Sequence, residues 1–181
     1  MRVVLAHGGV MTINAGTLDD PSGITGDQRG DIFVSDTDGA RIIEIAPGGT
    51  VTTVMGTGIP GYNGTYTIDR NGLPQNKLGT DAQVNLPRGL AANFAGQVFV
   101  AEAGNGIVRR LDPSGNISLT AGKTINNDTA TDPSCTPPDG QYANTTGFKT
   151  PTAVAVTADG QFVVSDTSCY RVRSFGPYPI S

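Results

Sequence analysis

A segment that occurs three times sets the architecture before any single residue is weighed, because a chain made of copies folds as copies of one unit. Pro21-Ser22-Gly23-Ile24, running on to Gly30-Asp31-Ile32-Phe33-Val34-Ser35-Asp36, returns as Pro87-Arg88-Gly89-Leu90 with Gly96-Gln97-Val98-Phe99-Val100-Ala101-Glu102. It returns again as Pro151-Thr152-Ala153-Val154 with Gly160-Gln161-Phe162-Val163-Val164-Ser165-Asp166. The proline and the glycine keep one offset in each comparison, 66 residues from first copy to second and 64 from second to third. Each copy continues into a further match: Arg41-Ile42-Ile43-Glu44-Ile45, Ile107-Val108-Arg109-Arg110-Leu111 and Arg171-Val172-Arg173-Ser174-Phe175.

Read for period, each copy holds three short strands: a after the proline, b in the Phe/Val run, c in the Arg/Ile alternation. A fourth, d, follows a glycine turn as Val51-Thr52-Thr53-Val54-Met55-Gly56 and as Ile117-Ser118-Leu119-Thr120-Ala121-Gly122. With 25 glycines and 12 prolines in 181 residues, turns recur too often for long helices. The fold class is all-β, and four short antiparallel strands per unit predict β-propeller blades. These residues resemble the NHL-repeat family, whose units read Pro-x-Gly-Val-Ala-Val, then Gly-Asn-Val-Tyr-Val-Ala-Asp, then Asn-x-Arg-Ile and Thr-Thr-Val-Ala-Gly-Thr-Gly. The stretches Gly56-Thr57-Gly58-Ile59-Pro60-Gly61-Tyr62-Asn63-Gly64 and Ala82-Gln83-Val84-Asn85-Leu86-Pro87 are similar to that family's inter-blade segment, lengthened here.

The reading frame divides the chain into an N-terminal d strand (1–17), blade 1 (18–56), an insertion (57–82), blade 2 (83–122), a second insertion (123–149), and strands a to c of blade 3 (150–181). The chain thus runs d-abcd-abcd-abc, about three blades, with complementary parts of one blade at its two ends. Closed propellers use about four to eight blades. The frame therefore predicts that Met11, Thr12, Ile13, Asn14 and Ala15 act as an assembly strand, completing a blade of another copy or of a longer chain. Two copies would close a six-bladed ring; copies joined without closure would form a filament.

Composition excludes several classes of function. Twelve basic against 16 acidic residues leave a net charge of −4, contrary to a face that binds phosphates, so nucleic acid is not an expected partner. No apolar run approaches the length of a membrane span, and Met1 to His7 is too short for a signal peptide, which puts any secretion signal outside this chain. Relatives with the NHL-type fold include lyases and hydrolases that bind metal through several histidines, but the single histidine here, His7, precedes the first blade. No Gly-x-Ser-x-Gly elbow and no phosphate-binding loop occurs. No catalytic residue, metal ligand or cofactor site is therefore expected, and the reading is of a protein that is not an enzyme. Another branch of the family binds RNA on a basic face, from which this acidic chain departs.

Four Asn-x-Ser/Thr sites appear at Asn63, Asn116, Asn127 and Asn144, three in the insertions and Asn116 in a c–d turn, which predicts N-linked glycans and an extracellular or cell-surface location. In antiparallel blades d–a connections and b–c turns emerge on one face of the ring. Cys135 and Cys169 fall in those two places, and a disulfide between them is expected in an oxidising compartment. Asp36, Glu102 and Asp166 end the b strands; they either line a channel or accept backbone N–H bonds in turns, the simpler reading. Arginines of strand c are expected in interblade ion pairs, and Tyr62, Tyr66 and Tyr142 are expected to pack the insertions down. Together these residues describe a non-enzymatic, glycosylated structural or interaction module. The rival readings are a ligand- or carbohydrate-binding receptor propeller and, with fewer residues to carry it, an extracellular lyase or hydrolase.

Overall fold

The computed structural model describes residues 2–4, 10–12, 17–68, 74–125, 128–130, 135 and 143–176. The chain opens with β1 (Arg2–Val4) and β2 (Val10–Thr12), an antiparallel pair in which Val3 faces Met11. The strand expected from Met11 is thus found one residue earlier and already paired on one side within its own chain, whereas Ile13, Asn14 and Ala15 lie outside the described residues. Blade 1 follows as β3 (Pro21–Gly26), β4 (Ile32–Asp36), β5 (Arg41–Ile45) and β6 (Val51–Met55), a four-stranded sheet in sequence order. These are the a to d strands that the repeats predict.

The first insertion holds β7 (Tyr66–Ile68) and β8 (Pro74–Leu78), a hairpin. Blade 2 comprises β9 (Pro87–Ala92), β10 (Val98–Glu102), β11 (Ile107–Leu111) and β12 (Asn116–Ile125). Its d strand does not end as an edge. Leu78 and Lys77 of β8 pair with Asn116 and Ile117 of β12, so the insertion extends the blade, and β13 (Asp128–Ala130) pairs with the far end of β12. Blade 3 is β14 (Pro151–Val156), β15 (Phe162–Asp166) and β16 (Arg171–Phe175), three strands with no fourth among the described residues.

Polar side chains fix the turns. Asn93 Oδ1 accepts the backbone N–H groups of Ala95 and Gln97 (both 3.0 Å), and Asp112 Oδ1 accepts those of Ser114 and Asn116 (both 2.9 Å). Such side-chain bonds replace the ladder where the chain reverses, and they set the register of the next strand.

The apolar core lies between blades. Phe33, Ile42 and Met55 of blade 1 meet Leu90, Val98, Val100 and Leu111 of blade 2; on the other side of blade 2, Phe99, Val108 and Ala121 meet Val154, Val164 and Phe175 of blade 3, with Phe148 beside them. Each such side chain contributes about 1.5–3 kcal/mol by leaving water, so one blade is held chiefly by its neighbours.

The third residue of the Pro-x-Gly signature makes that approach possible. A Cβ on Gly23 would stand 1.9 Å from the Arg88 carbonyl oxygen in the next a strand, and one on Gly89 would stand 2.5 Å from Ala153 Cα. Beside Gly23 a cluster of hydroxyls crosses the joint: Ser35 Oγ donates to Arg88 O (2.5 Å) and Thr37 Oγ1 to Pro87 O (2.8 Å), while Ser22 Oγ lies 2.6 Å from Thr37 Oγ1.

Burial also perturbs one carboxyl of blade 1. Desolvation raises the pKa of Glu44, Asp31 and Asp27 raise it further, and Arg29 opposes them. A raised folded value means that the native state binds more protons than the unfolded chain, so the stabilising contribution is present at low pH and is lost as pH climbs through the raised value. Glu44→Gln is accordingly expected to raise the melting temperature near neutral pH by about 1–4 °C, an advantage that disappears below the ordinary carboxylate range; thermal scans against pH check this.

Candidate functional site

The buried carboxylates that end the b strands serve one structural purpose in all three blades. Asp36 Oδ1 accepts the backbone N–H of Asp19 (2.5 Å), Glu102 Oε2 that of Asn85 (3.4 Å), and Asp166 those of Lys149 and Thr150 (3.0 and 2.8 Å). These donors occupy equivalent positions just before each a strand, so each carboxylate ties the incoming connection to its own blade. These acids accept backbone N–H bonds as the simpler reading expects, but from the connection that enters strand a and not from the turn that follows strand b.

Glu102 carries a second load. It forms a fully buried ion pair with Arg109, in which Nη2 lies 2.9 Å from Oε2 and Nε donates to Oε1. Arg109 Nη2 also donates to the Gln83 carbonyl (2.5 Å), and its Cζ lies 5.4 Å from the centre of the Tyr62 ring. Asn105 Nδ2 bridges Glu102 Oε2 (2.7 Å) and the Gly61 carbonyl (2.9 Å). In blade 1, Arg41 Nε meets Asp36 Oδ2 at 2.7 Å. These arginines pair within their own blades rather than between blades, contrary to the sequence expectation, because strands b and c are adjacent and put both partners in one sheet. Tyr62 packs as expected; the side chain of Tyr66 and all of Tyr142 are outside the described residues.

The first insertion is folded onto this pair. Lys77 is buried and its Nζ donates to the Asn63 carbonyl (2.6 Å); Asn63 Nδ2 donates to the Asp81 carbonyl (3.0 Å), and Asn63 Oδ1 accepts the Gln83 N–H (2.9 Å). Burial lowers the Lys77 pKa, and the neighbouring charge of Arg109 lowers it further while Asp81 opposes both. Asn63 is thus half-buried with both ends of its amide engaged. Asn116 begins β12 opposite Leu78, beside the insertion rather than in an open turn; Asn144 lies in a short 3-10 turn (Ala143–Thr145), and Asn127 is outside the described residues.

Cys135 and Cys169 form a disulfide, with Cα atoms 5.2 Å apart, that ties the second insertion to the b–c turn of blade 3. The loop it closes spans 34 residues, for which about 2–4 kcal/mol of stabilisation is usual. Cys135→Ser or reduction is expected to lower stability by that amount, read as a lower denaturant midpoint together with a steeper slope, because the uncrosslinked denatured chain exposes more surface.

At the end of blade 3 two large side chains are exposed, Tyr170 at 97% and Val172 at 72%. Among the described residues no grouping of His, Cys, Asp and Glu stands close enough to hold a metal ion, and no helix is long and apolar enough to cross a membrane. His7 lies outside the described residues.

Antiparallel four-stranded sheets set side by side through their a strands, with the core between them, define a unit of an NHL-type β-propeller. A family model described as the teneurin NHL domain matches residues 69–176, and the chain belongs to that family. It is 25% identical to Teneurin-1 of Mus musculus over 219 aligned positions, covering 87% of this chain and 8% of the relative. Over 102 positions it is 31% identical to Teneurin-4 of Mus musculus, covering 54% of this chain and 4% of that protein. The chain therefore spans less than a tenth of the length of these curated relatives. Among solved structures, a protein from Bacteroides thetaiotaomicron superposes with a TM-score of 0.68 at 17% identity, covering 94% of this chain and 40% of that one. A gluconolactonase from Xanthomonas campestris superposes with a TM-score of 0.51 at 17% identity, covering 83% and 36%. At these identities the likeness is one of fold alone.

Proposed function

We propose that this chain is a non-enzymatic, extracellular interaction module that builds a larger propeller or filament by strand complementation between units. The observation that supports this most directly is blade 3, in which β16 pairs only with β15 among the described residues, whereas a d strand completes both other blades. An unpaired strand edge recruits another strand, because its N–H and C=O groups are otherwise satisfied only by water. The segment around Met11 and Thr12 of a second copy supplies that strand. Membership of the teneurin NHL family supports the extracellular setting, as do the disulfide and the four sequons, which are the proposed sites of N-linked glycans.

Deleting residues 1–16 is expected to reduce the assembly to single copies while leaving blades 1 and 2 folded. Light scattering reads the mass and circular dichroism the sheet content; an unchanged particle mass would refute the complementation. A second reading, a ligand- or carbohydrate-binding propeller, draws on the hollow where the a strands end, lined by Gln28, Asn93, Thr157 and Phe94, the last 74% exposed. Exposed aromatic rings stack on sugars, and saturation-transfer NMR with neutral saccharides, repeated on Phe94→Ala, tests that reading.

A further inference from the structure

Between the facing surfaces of blades 2 and 3 lies a cleft of about 490 Å³, within the range of about 300–1,000 Å³ usual for small-molecule sites. We infer that this cleft binds a small carboxylate with an aromatic or other flat apolar body, and that Arg110 holds its charge. The site lies apart from the strand edges of the assembly reading above and does not depend on that reading.

The repeat shows what is unusual about Arg110. Phe99, Arg110 and Ser118 stand opposite one another on β10, β11 and β12, so they form one row across blade 2, on the face that meets blade 3. Sixty-six residues earlier the same position of blade 1 is Glu44, with Asp27 and Asp31 near it and Arg29 to counter its charge. In blade 2 the charge is reversed and its surroundings are neutral: Asn93, Ala95 and Gln97 stand for Asp27, Arg29 and Asp31. In blade 3 the position is Ser174. Arg110 is therefore a cation found at this joint alone. Among the described residues it makes no ion pair, and its Nε is buried without a hydrogen-bond partner. A buried donor left unpaired is costly, and a carboxylate that meets a guanidinium side-on accepts from Nε and one Nη together.

The walls define the rest of the ligand. Phe99 and Phe162, with ring centres 5.6 Å apart, line the cleft together with Val156 and Leu119, and none of the described lining residues is acidic. Ser118 and Thr120 bring hydroxyls from β12. Gln97, whose Oε1 accepts from Asn93 Nδ2 (2.8 Å), has amide N–H groups to offer. A bare anion gains nothing from two aromatic rings, and a neutral apolar molecule leaves Arg110 uncompensated; a carboxylate on a flat apolar body meets both demands. Strand β12 is no more open here than β6 is beside the complete blade 2, since Ser118 is half-buried whereas the equivalent Thr52 is exposed. The two facing blades thus form the cleft, and the outer edge of blade 3 has no part in it. It adjoins the hollow around Phe94 and shares Asn93 and Val156 with it, but Phe94 does not line it.

Ligand-observed saturation-transfer NMR on the full chain tests the site with phenylacetate, phenylacetamide, acetate and inorganic phosphate. Phenylacetate is expected to bind saturably, in the low millimolar range or tighter, and each of the other three at least about tenfold more weakly. Arg110→Gln should weaken phenylacetate about tenfold, and Arg110→Lys should recover only part of the loss, because an ammonium group cannot make the two-point contact. Ser118→Phe fills the cleft from the position opposite Arg110 and should abolish binding, whereas Phe94→Ala should leave it unchanged. The comparison of the four probes needs no variant, so it decides the matter even where a substitution disturbs the joint. No saturable binding of phenylacetate, or equal affinity for the acid and its amide, would overturn the site. Acetate or phosphate bound as tightly as phenylacetate would reduce it to a bare anion contact and overturn it too. Binding lost in Phe94→Ala but kept in Arg110→Gln would move the ligand to the neighbouring hollow and remove the role of Arg110. None of these results depends on the mass of the particle, so the site and the assembly can fail separately.

Discussion

Glu102→Gln is expected to cost about 3–5 kcal/mol of folding stability, because it leaves Arg109 as a buried charge with no counter-charge. Both side chains are inaccessible to water, and Arg109 Nη1 already lacks a hydrogen-bond partner, so nothing nearby replaces the lost carboxylate. The damage should reach the first insertion, since Arg109 also holds the Gln83 carbonyl and the Tyr62 ring. Hydrogen exchange should therefore rise in residues 59–65 and 81–86 before the inner strands of blade 2 open. The paired change Glu102→Leu with Arg109→Met is expected to recover most of the loss, because the desolvation of both charges disappears together. Chemical denaturation of the two variants checks both statements. The Asp36–Arg41 pair is a built-in comparison: the Arg41 side chain is 35% exposed, so Asp36→Asn leaves a charge that water reaches and should cost less.

Gly23→Val is expected to cost about 4 kcal/mol or more, by forcing blades 1 and 2 apart. The obstacle is backbone, the Arg88 carbonyl oxygen 1.9 Å from the new Cβ, and it cannot rotate aside as a side chain would. Separation would also break the Ser35 and Thr37 bonds to blade 2 and open the cluster of Phe33, Ile42 and Met55. A calorimetric transition that splits in two, with blade 1 melting first, is the expected signature. A single transition at the wild-type temperature would show that the close approach of the a strands is not what holds the joint.

The blades were legible in the sequence because their determinants are local and repeated. A proline opens strand a, alternation marks b and c, and a polar residue with a glycine three positions later closes the turn, so each copy corroborates the others. What the repeats do not encode was not legible. Strand β8, Pro-Gln-Asn-Lys-Leu, has little alternation, and its place beside β12 depends on a long-range pairing. That pairing also moved Asn116 from an open turn to a covered strand. The Glu102–Arg109 pair gave no signal of its depth, since the sequence shows an arginine on strand c but not the insertion folded over it. The hydroxyl clusters escaped for another reason: Ser22, Ser35 and Thr37 are unremarkable until register puts them on one face, opposite the carbonyls of the next blade. The β1–β2 hairpin was missed because β1 matches no position of the repeat.

The number of copies in the native particle tests the central claim most directly. Mass photometry of the intact chain, followed by imaging of the same particles, is predicted to find more than one copy, either two closing a six-bladed ring or a longer series stacked end to end. Stable particles holding one copy and three blades would contradict the account.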